Sequence, residues 1–381
     1  MTKRFALAGV ASFLSAIGGA AAQSAAPNPQ PQLSAPAVAE FAQPSGVRSM
    51  PPPPANFDPL TASPQALAQY ALPPAPDRVR TPRAFAAWQS AVSIHSRRNG
   101  TLALTNQAAN PPVLTSTMIY NRPLQRAAQP AAAAVKNGTT LTSSSNWSGS
   151  SVLNFKNPSN QAVILAEFTV PTARQALFTC TGGWDYSSLW PGIDGNGSSD
   201  VLQAGVEADA YCSGGSTQSF YSAWIEWYPN YETRVSAPTL NAGDLILVEV
   251  WNTSPTVGYA YIANLSTRQA ASYYLPAPSG TGLAGNSVEW IVERPGIGSG
   301  SSTLTNYVGS SWIYGVAYGV SASPTYYFPG VSAGDASTFE LITMLDNNNQ
   351  GISSATAETQ SFLYFQDYGS ACSSYGISQP C

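Results

Sequence analysis

The sequence predicts an all-β protein, a sandwich or barrel, preceded by a segment with little regular structure. Three observations point there. Charged residues make up only 9% of the chain while aromatic residues reach 11%. Tyr, Trp, Thr, Ser and Gly are plentiful and Lys and Glu scarce, the balance of strands rather than helices. From about residue 140, short alternating runs follow one another, among them "AVILAEFTVP", "YSAWIEWYP", "DLILVEVWN", "VGYAYIANLS", "SVEWIVE" and "SSWIYGVAYGV", each bounded by Gly, Asn, Pro or Ser turns. The same stretch has no fixed-period repeat and no helical pattern longer than a turn or two. A single β domain over 140–381 fits the usual size of this class and can bury a sizeable core.

Ahead of it, residues 1–22 read as an export signal. Lys3 and Arg4 form the basic end, "FALAGVASFLSAIGGA" the apolar run and "AAA" at 20–22 the cleavage site. The apolar run is too short and too rich in glycine for a membrane span, and no later segment approaches the roughly 20 apolar residues that a span needs. The expected product is secreted and soluble, with no stable membrane anchor. Residues 23–139 read as a pro-segment holding 19 of the 31 prolines. Its first part, 23–57, is expected to be disordered, because it has too little apolar surface to offset its chain entropy. One helix is predicted in "RAFAAWQSAVSIHSRR", where Phe85, Trp88 and Val92 recur at helical spacing.

Charge divides the chain in the same way. Residues 1–139 hold 11 basic and 3 acidic side chains, and residues 140–381 hold 5 and 17. A basic front segment should be attracted to an acidic body at neutral pH and serve as its inhibitor. The acidity of the body also argues against a nucleic-acid partner. Four cysteines, Cys180, Cys212, Cys372 and Cys381, allow three pairings. The two that close local loops are favoured, Cys180 with Cys212 and Cys372 with Cys381. The segments "NWS" and "NLS" fit the glycosylation acceptor pattern.

The residue inventory excludes much chemistry. His95 is the only histidine and lies in the front segment, so the β domain cannot build a Ser-His-Asp or Cys-His arrangement or a His-containing zinc site. Lys156 is the domain's only lysine, which sets Ser-Lys catalysis aside. Phosphate-binding loops, the nucleophile elbow and the pepsin-like Asp signature are absent. Carboxylates, amides and tyrosines remain for acid–base work, with no metal and no cofactor expected.

Strand alternation sorts those groups into faces. In "SVEWIVERP", Glu289, Ile291 and Glu293 oppose Val288, Trp290 and Val292. In "DVLQAGVEAD", Val201, Gln203, Gly205 and Glu207 share a face. In "SAWIEWYP", Trp224, Glu226 and Tyr228 do so. A curved sheet could gather these three faces into a cleft. Read separately, each has an ordinary alternative: a glutamate solvated on a surface, a glutamine in a ladder, an aromatic platform for sugar or peptide, and a bulge at Gly205.

Read together, the motifs resemble the glutamic peptidases, the eqolisins. "SNWSG" at 145–149 resembles the start of the mature enzymes, and "LWPGIDG" at 189–195 the W-x-G-I-D-G block. "LQAG" at 202–205 carries the catalytic glutamine, here Gln203. "AWIEWYP" at 223–229 resembles A-W-Y-E-W-Y-P. "VEWIVE" at 288–293 ends on the catalytic glutamate, here Glu293. The resemblance implies a sandwich of two large antiparallel sheets (concanavalin-like), with the active site on the concave one. It also implies cleft-lining or supporting roles for Trp147, Trp190, Asp194, Trp224 and Glu226. Two departures stand out: Glu207 occupies a position that is usually Asp, and Pro191 replaces a small aliphatic residue. Glu289 shares the face but not the catalytic position, and is expected to support the site or sit at its rim.

The implied function is that of a secreted acid endopeptidase, acting as a monomer on proteins or peptides. Glu293 is the general base, Gln203 the oxyanion donor, and the front segment is lost by cleavage near 136–145 in acid. A β-sandwich glycoside hydrolase needs two carboxylates and aromatic platforms as well. A carbohydrate-binding module needs only the platforms. Both stay open on the residues alone, though the hydrolase has no need for Gln203 and neither accounts for the ordered motifs.

Overall fold

A computed structural model describes residues 46–95, 119–125, 134–136, 139–155, 161–176, 180, 182–297, 300–308, 311–319, 322–327, 330–331, 338–359 and 362–368. The expected export signal, most of the segment expected to be disordered, and the Cys372–Cys381 pair lie outside the described residues. The chain divides into units 1–36 and 37–381, and everything described belongs to the second.

The β expectation holds. The first sheet runs, neighbour by neighbour, through the strands Thr233–Val235, Ser216–Tyr228, Val201–Ser213, Ser188–Ile193, Ser287–Glu293, Trp147–Leu153 and Thr338–Leu345, all antiparallel. Thr139–Ser144 then joins it in parallel alongside Thr338–Leu345. The second sheet runs through Arg48–Ser49, Gln269–Pro276, Val257–Asn264, Leu245–Ser254, Ala162–Thr169 and Ser311–Gly319. The hairpin Gly351–Thr359 and Phe362–Asp367 links the two, pairing with Thr338–Leu345 on one side and Ser311–Gly319 on the other.

The alternation read from the sequence decides which faces meet. Leu202, Ala204, Val206, Trp227, Val288, Trp290 and Val292 of the first sheet share one apolar cluster with Ile164, Ala166, Phe168, Ile246, Val248, Val250 and Ile262 of the second. The Trp290 indole crosses the layer and donates to the carbonyl of Leu165 at 3.0 Å. Burying these side chains between two sheets is the main stabilising term of such a sandwich, about 25 cal/mol for each Å² of apolar surface removed from water. The opposite face of the first sheet carries Gln203, Glu207, Glu226, Glu289 and Glu293.

The second sheet is also apolar on its outer face, and the front segment covers it. The helices are α1 (Pro64–Gln69) and α2 (Pro82–His95). Ser63 caps α1, its hydroxyl accepting from the N–H of Ala66, and Pro64 at the first turn costs no hydrogen bond. One stripe of α2, Ala84, Trp88, Ala91 and Val92, joins Leu67, Leu72, Val163, Leu165, Leu247, Trp251, Tyr261, Tyr314 and Val316 in a second apolar cluster. Tyr261 donates its hydroxyl to the carbonyl of Ala91, and the Trp88 indole donates to that of Pro73.

The predicted helix is therefore present, while part of the expected disorder is not. Within 46–57, Arg48–Ser49 pairs with Tyr273–Tyr274, Met50 donates to Ser272, and the Arg48 guanidinium lies over the Tyr274 ring. The sheet edge supplies the partners that the proline-rich stretch cannot supply for itself. Cys180 and Cys212 form a disulfide, as favoured.

Gly205 marks no bulge. Its strand pairs without a register shift from Val201↔Tyr228 to Ser213↔Ser216. A Cβ there would stand 2.1 Å from the carbonyl oxygen of Leu189 and 2.7 Å from the Cβ of Trp190. Glycine is needed because the backbone of the neighbouring strand at Leu189–Trp190 passes too close for any side chain.

Candidate active site

Register brings the predicted residues together. Gln203 faces Glu226 directly across one strand pair, and Trp147 faces Glu293 across another. Trp190, on the strand between, pairs with Ile291, two residues from Glu293 on the same face. Trp147, Trp190, Val201, Trp224 and Ile291 form an apolar floor, with Tyr228 and Leu124 packed against it. The rings of Trp147 and Trp190 meet edge to face at 5.0 Å, the arrangement aromatic pairs prefer.

That contact aims both indoles at one carboxylate. Oε2 of Glu293 accepts from Nε1 of Trp147 at 3.0 Å and from Nε1 of Trp190 at 3.1 Å. Its Oε1 accepts from Nδ2 of Asn146 at 3.1 Å and from the backbone N–H of Arg122 at 3.0 Å. Burial pushes the carboxyl well above the usual carboxylate range, and these hydrogen bonds pull the other way.

Gln203 is equally buried. Its Nε2 donates to the backbone carbonyl of Asn121 at 2.6 Å and to Oε2 of Glu226 at 3.4 Å. Its Oε1 has no hydrogen-bond partner among the described residues. The same Glu226 oxygen accepts from the backbone N–H of Asn121 at 3.0 Å and from its Nδ2 at 3.1 Å.

Residues 119–125 thus form a strap through the cleft. Ile119–Tyr120 pairs antiparallel with Gly296–Ile297. Asn121 meets Gln203 and Glu226, and Arg122 meets Glu293. Leu124 donates its N–H to the carbonyl of Gly195, and Gln125 is tied to Ser144, Ser145 and Asn146.

The other expected residues divide. Glu207 lies on the cleft face but makes no hydrogen bond to Gln203 or Glu293. It is fully buried beside Asp209 and Glu232, and burial and those two acids push it well above its ordinary value. Asp209, salt-bridged to Arg234 at 3.3 Å, is raised to about 6 by burial. Trp224 and Tyr228 line the floor. Asp194 is not in the cleft. Held at φ 67°, its carboxylate accepts from the N–H groups of Gly285, Asn286 and Ser287 and ties down the turn that enters the Glu293 strand. Glu289 is fully buried rather than at a rim, with its Oε1 accepting from Ser151.

Sequence reasoning passed over Asn121, Arg122, Asn146, Glu232 and Arg234. Asn146 stands inside the "SNWSG" block, where the sequence marks a glycosylation acceptor and the start of the family resemblance but not a partner of Glu293. Its side chain is buried on Glu293, and that of Asn264 in "NLS" is buried on Thr239 and Asp244. Arg234 sits opposite Trp224 on the short strand Thr233–Val235 and Glu232 just precedes that strand, a weak signal. Nothing local distinguishes Asn121 or Arg122. Among the described residues no group of three or more His, Cys, Asp and Glu is arranged to hold a metal ion.

Residues 145–364, more than half of the chain, match the model of the Peptidase A4 family. The chain belongs to that family. All five sequence blocks fall inside the matched region. Aspergillopepsin-2 of Aspergillus niger is 34% identical to this peptidase A4 member over 173 residues, 41% of the chain and 58% of the relative. Scytalidopepsin B of Scytalidium lignicola is 32% identical over 159 residues, 41% of the chain and 54% of the relative. The chain therefore spans less than two thirds of the length of these two relatives. Among solved structures, scytalido-glutamic peptidase with a transition state analog inhibitor overlays at TM-score 0.45 and 22% identity, covering 58% of this chain and 98% of the other. Aspergilloglutamic peptidase from Aspergillus niger overlays at TM-score 0.40 and 26% identity, covering 48% and 99%.

Proposed function

We propose that this peptidase A4 member is a secreted acid endopeptidase in which Glu293 and Gln203 hydrolyse the peptide bond, and that residues 119–125 hold it inactive. One observation carries the reading. The single peptide group between Asn121 and Arg122 has its oxygen on the Gln203 amide and its N–H on the Glu293 carboxylate.

A substrate bond lying the same way meets the groups hydrolysis needs. Glu293 takes a proton from water as the water oxygen bonds to the carbonyl carbon. The carbonyl oxygen becomes negative and is held by the Gln203 N–H, a preorganised contact worth roughly 3 kcal/mol in the barrier. Glu293 then gives the proton to the departing nitrogen and the C–N bond breaks. The two indoles and Asn146 keep the carboxylate turned toward that nitrogen.

The strap blocks this by standing where a substrate would lie. Its Asn121–Arg122 peptide holds the Gln203 amide and the Glu293 carboxylate, so no other chain can reach the two groups while it is in place. The attraction between the basic front segment and the acidic body is complete above the carboxylate range and is lost as the pH falls through it, which makes acid the activating condition. Thr139–Ser144 is a strand of the sheet, which disfavours a cut within 139–144 and leaves the strap and its flanks as the region to be opened.

The test is casein hydrolysis at acid pH by the full chain and by Glu293→Gln, each shown to be folded. The full chain is expected to cleave casein after a lag, and the variant is expected to be inactive. Hydrolysis by the variant near the full-chain rate overturns the reading.

A further inference from the structure

The strap also presents one side chain to a pocket beside Gln203. Nδ2 of Asn121 donates to two carboxyl oxygens, Oε2 of Glu226 at 3.1 Å and Oε2 of Glu232 at 3.2 Å. Glu232 is held from behind, its Oε1 accepting from Nε of Arg234 at 3.2 Å. Arg234 in turn pairs with Asp209. Asn121 and Glu226 are almost wholly buried, and the Glu232 side chain is only 1% exposed. The pocket therefore offers two converging acceptors to the Asn121 amide nitrogen in a buried site, and among the described residues nothing donates to its Oδ1.

Resting on the peptidase reading above, we propose that Glu232, together with Glu226, selects the residue on the carbonyl side of the cleaved bond. The selected side chain ends in an –NH2 group, asparagine above all. The alignment of the strap supplies the position. Its Asn121–Arg122 peptide lies on Gln203 and Glu293, so the Asn121 side chain marks where that residue goes. An asparagine amide has two N–H donors on one nitrogen and matches two acceptors. A leucine of similar size leaves both acceptors unpaired in a buried site. An aspartate has no donor when ionised and only one when protonated, so it cannot serve both acceptors. Sites built to hydrogen-bond a polar group discriminate most strongly against analogues that lack it.

The residue after the bond meets the opposite condition. A Cβ on Gly296 would stand 2.3 Å from Nε of Arg122, so the absence of a side chain at 296 leaves the floor on which this long side chain lies. Glu232 chooses, whereas Gly296 only makes room.

The test uses the acid-activated protein and synthetic peptides of the strap sequence, Ile-Tyr-Asn-Arg-Pro-Leu-Gln, with the asparagine kept or replaced by leucine or aspartate. Products are read by mass spectrometry. Cleavage after asparagine is expected, with kcat/KM about tenfold or more above the other two peptides. In Glu232→Gln the side-chain oxygen stays on Arg234 and an N–H turns to the pocket. The preference should shrink and move toward aspartate, in a variant whose circular dichroism matches the parent. Equal cleavage of the three peptides, or a preference unchanged in Glu232→Gln, overturns the assignment while the peptidase reading stands. No cleavage of these peptides or of casein at any acid pH removes the peptidase reading itself, and the selection falls with it.

Discussion

The backbone N–H of Arg122 and Oε1 of Glu293 lie 3.0 Å apart, 171 residues apart in the chain. This contact joins the front segment to the proposed catalytic base, and it can be removed without touching the base. Proline has no N–H to donate. Arg122→Pro should loosen the strap by about 1.5–3 kcal/mol, the worth of a hydrogen bond to a charged group. The lag before casein hydrolysis in acid should shorten. Arg122→Ala keeps the N–H and should keep most of the lag. Equal lags in both variants would show that the hydrogen bond does not restrain the enzyme.

Gln203 should act on the barrier more than on binding. In Gln203→Ala, kcat should fall about 10²–10³-fold, the cost of losing one oxyanion donor, with KM little changed. Steady-state kinetics on a peptide cleaved by the parent separates the two. A rise in KM at unchanged kcat would make Gln203 a binding residue instead.

The front segment should not leave as one piece. Ala84, Trp88, Ala91 and Val92 seal an apolar sheet face, and a cut at the strap does not expose that contact. Native mass spectrometry after acid activation should find a piece containing α2 still bound to the body, with separation only under denaturing conditions. Trp88→Ala should lower stability by about 3–5 kcal/mol. A soluble, active body free of residues 46–95 would refute this.

Stability should be highest in acid. Burial raises Glu207, Glu249 and Glu289 well above their ordinary values, and Asp185 and Asp209 to about 6. The folded chain therefore binds protons more tightly than the unfolded one. Their contribution is fully present below the unfolded carboxylate range of about 4 and is lost as the pH rises through 6 and above. Glu249 sharpens the effect, because it is fully buried with no hydrogen-bond partner for either oxygen among the described residues. Calorimetry should give a melting temperature that falls from pH 4 to pH 8. A rising one would contradict these shifts.

The Cys180–Cys212 bond closes a loop with a sequence separation of 32. Replacing both cysteines by serine should cost about 3 kcal/mol, read as a shift in denaturation midpoint.

Much of this protein is legible in the chain because strand alternation is local. A period of two sends Val288, Trp290 and Val292 to one face and Glu289, Ile291 and Glu293 to the other wherever the strand ends up. The absence of histidine beyond residue 95 limited the chemistry before any contact was known. What alternation cannot say is which strands become neighbours. Only the paired sheet sets Gln203 opposite Glu226 and Trp147 opposite Glu293, and only it moves Asp194 out of the cleft to hold a turn. The segment ahead of residue 140 was harder still. Its proline-rich composition reads as disorder because such a stretch cannot satisfy or bury itself. Its order at Arg48, Trp88 and Asn121 comes from a sheet edge, an apolar face and a row of carboxylates supplied by residues far along the chain. The sequence determined which groups could do chemistry; tertiary structure decided which of them meet, because contacts across a sheet are set by register and not by proximity along the backbone.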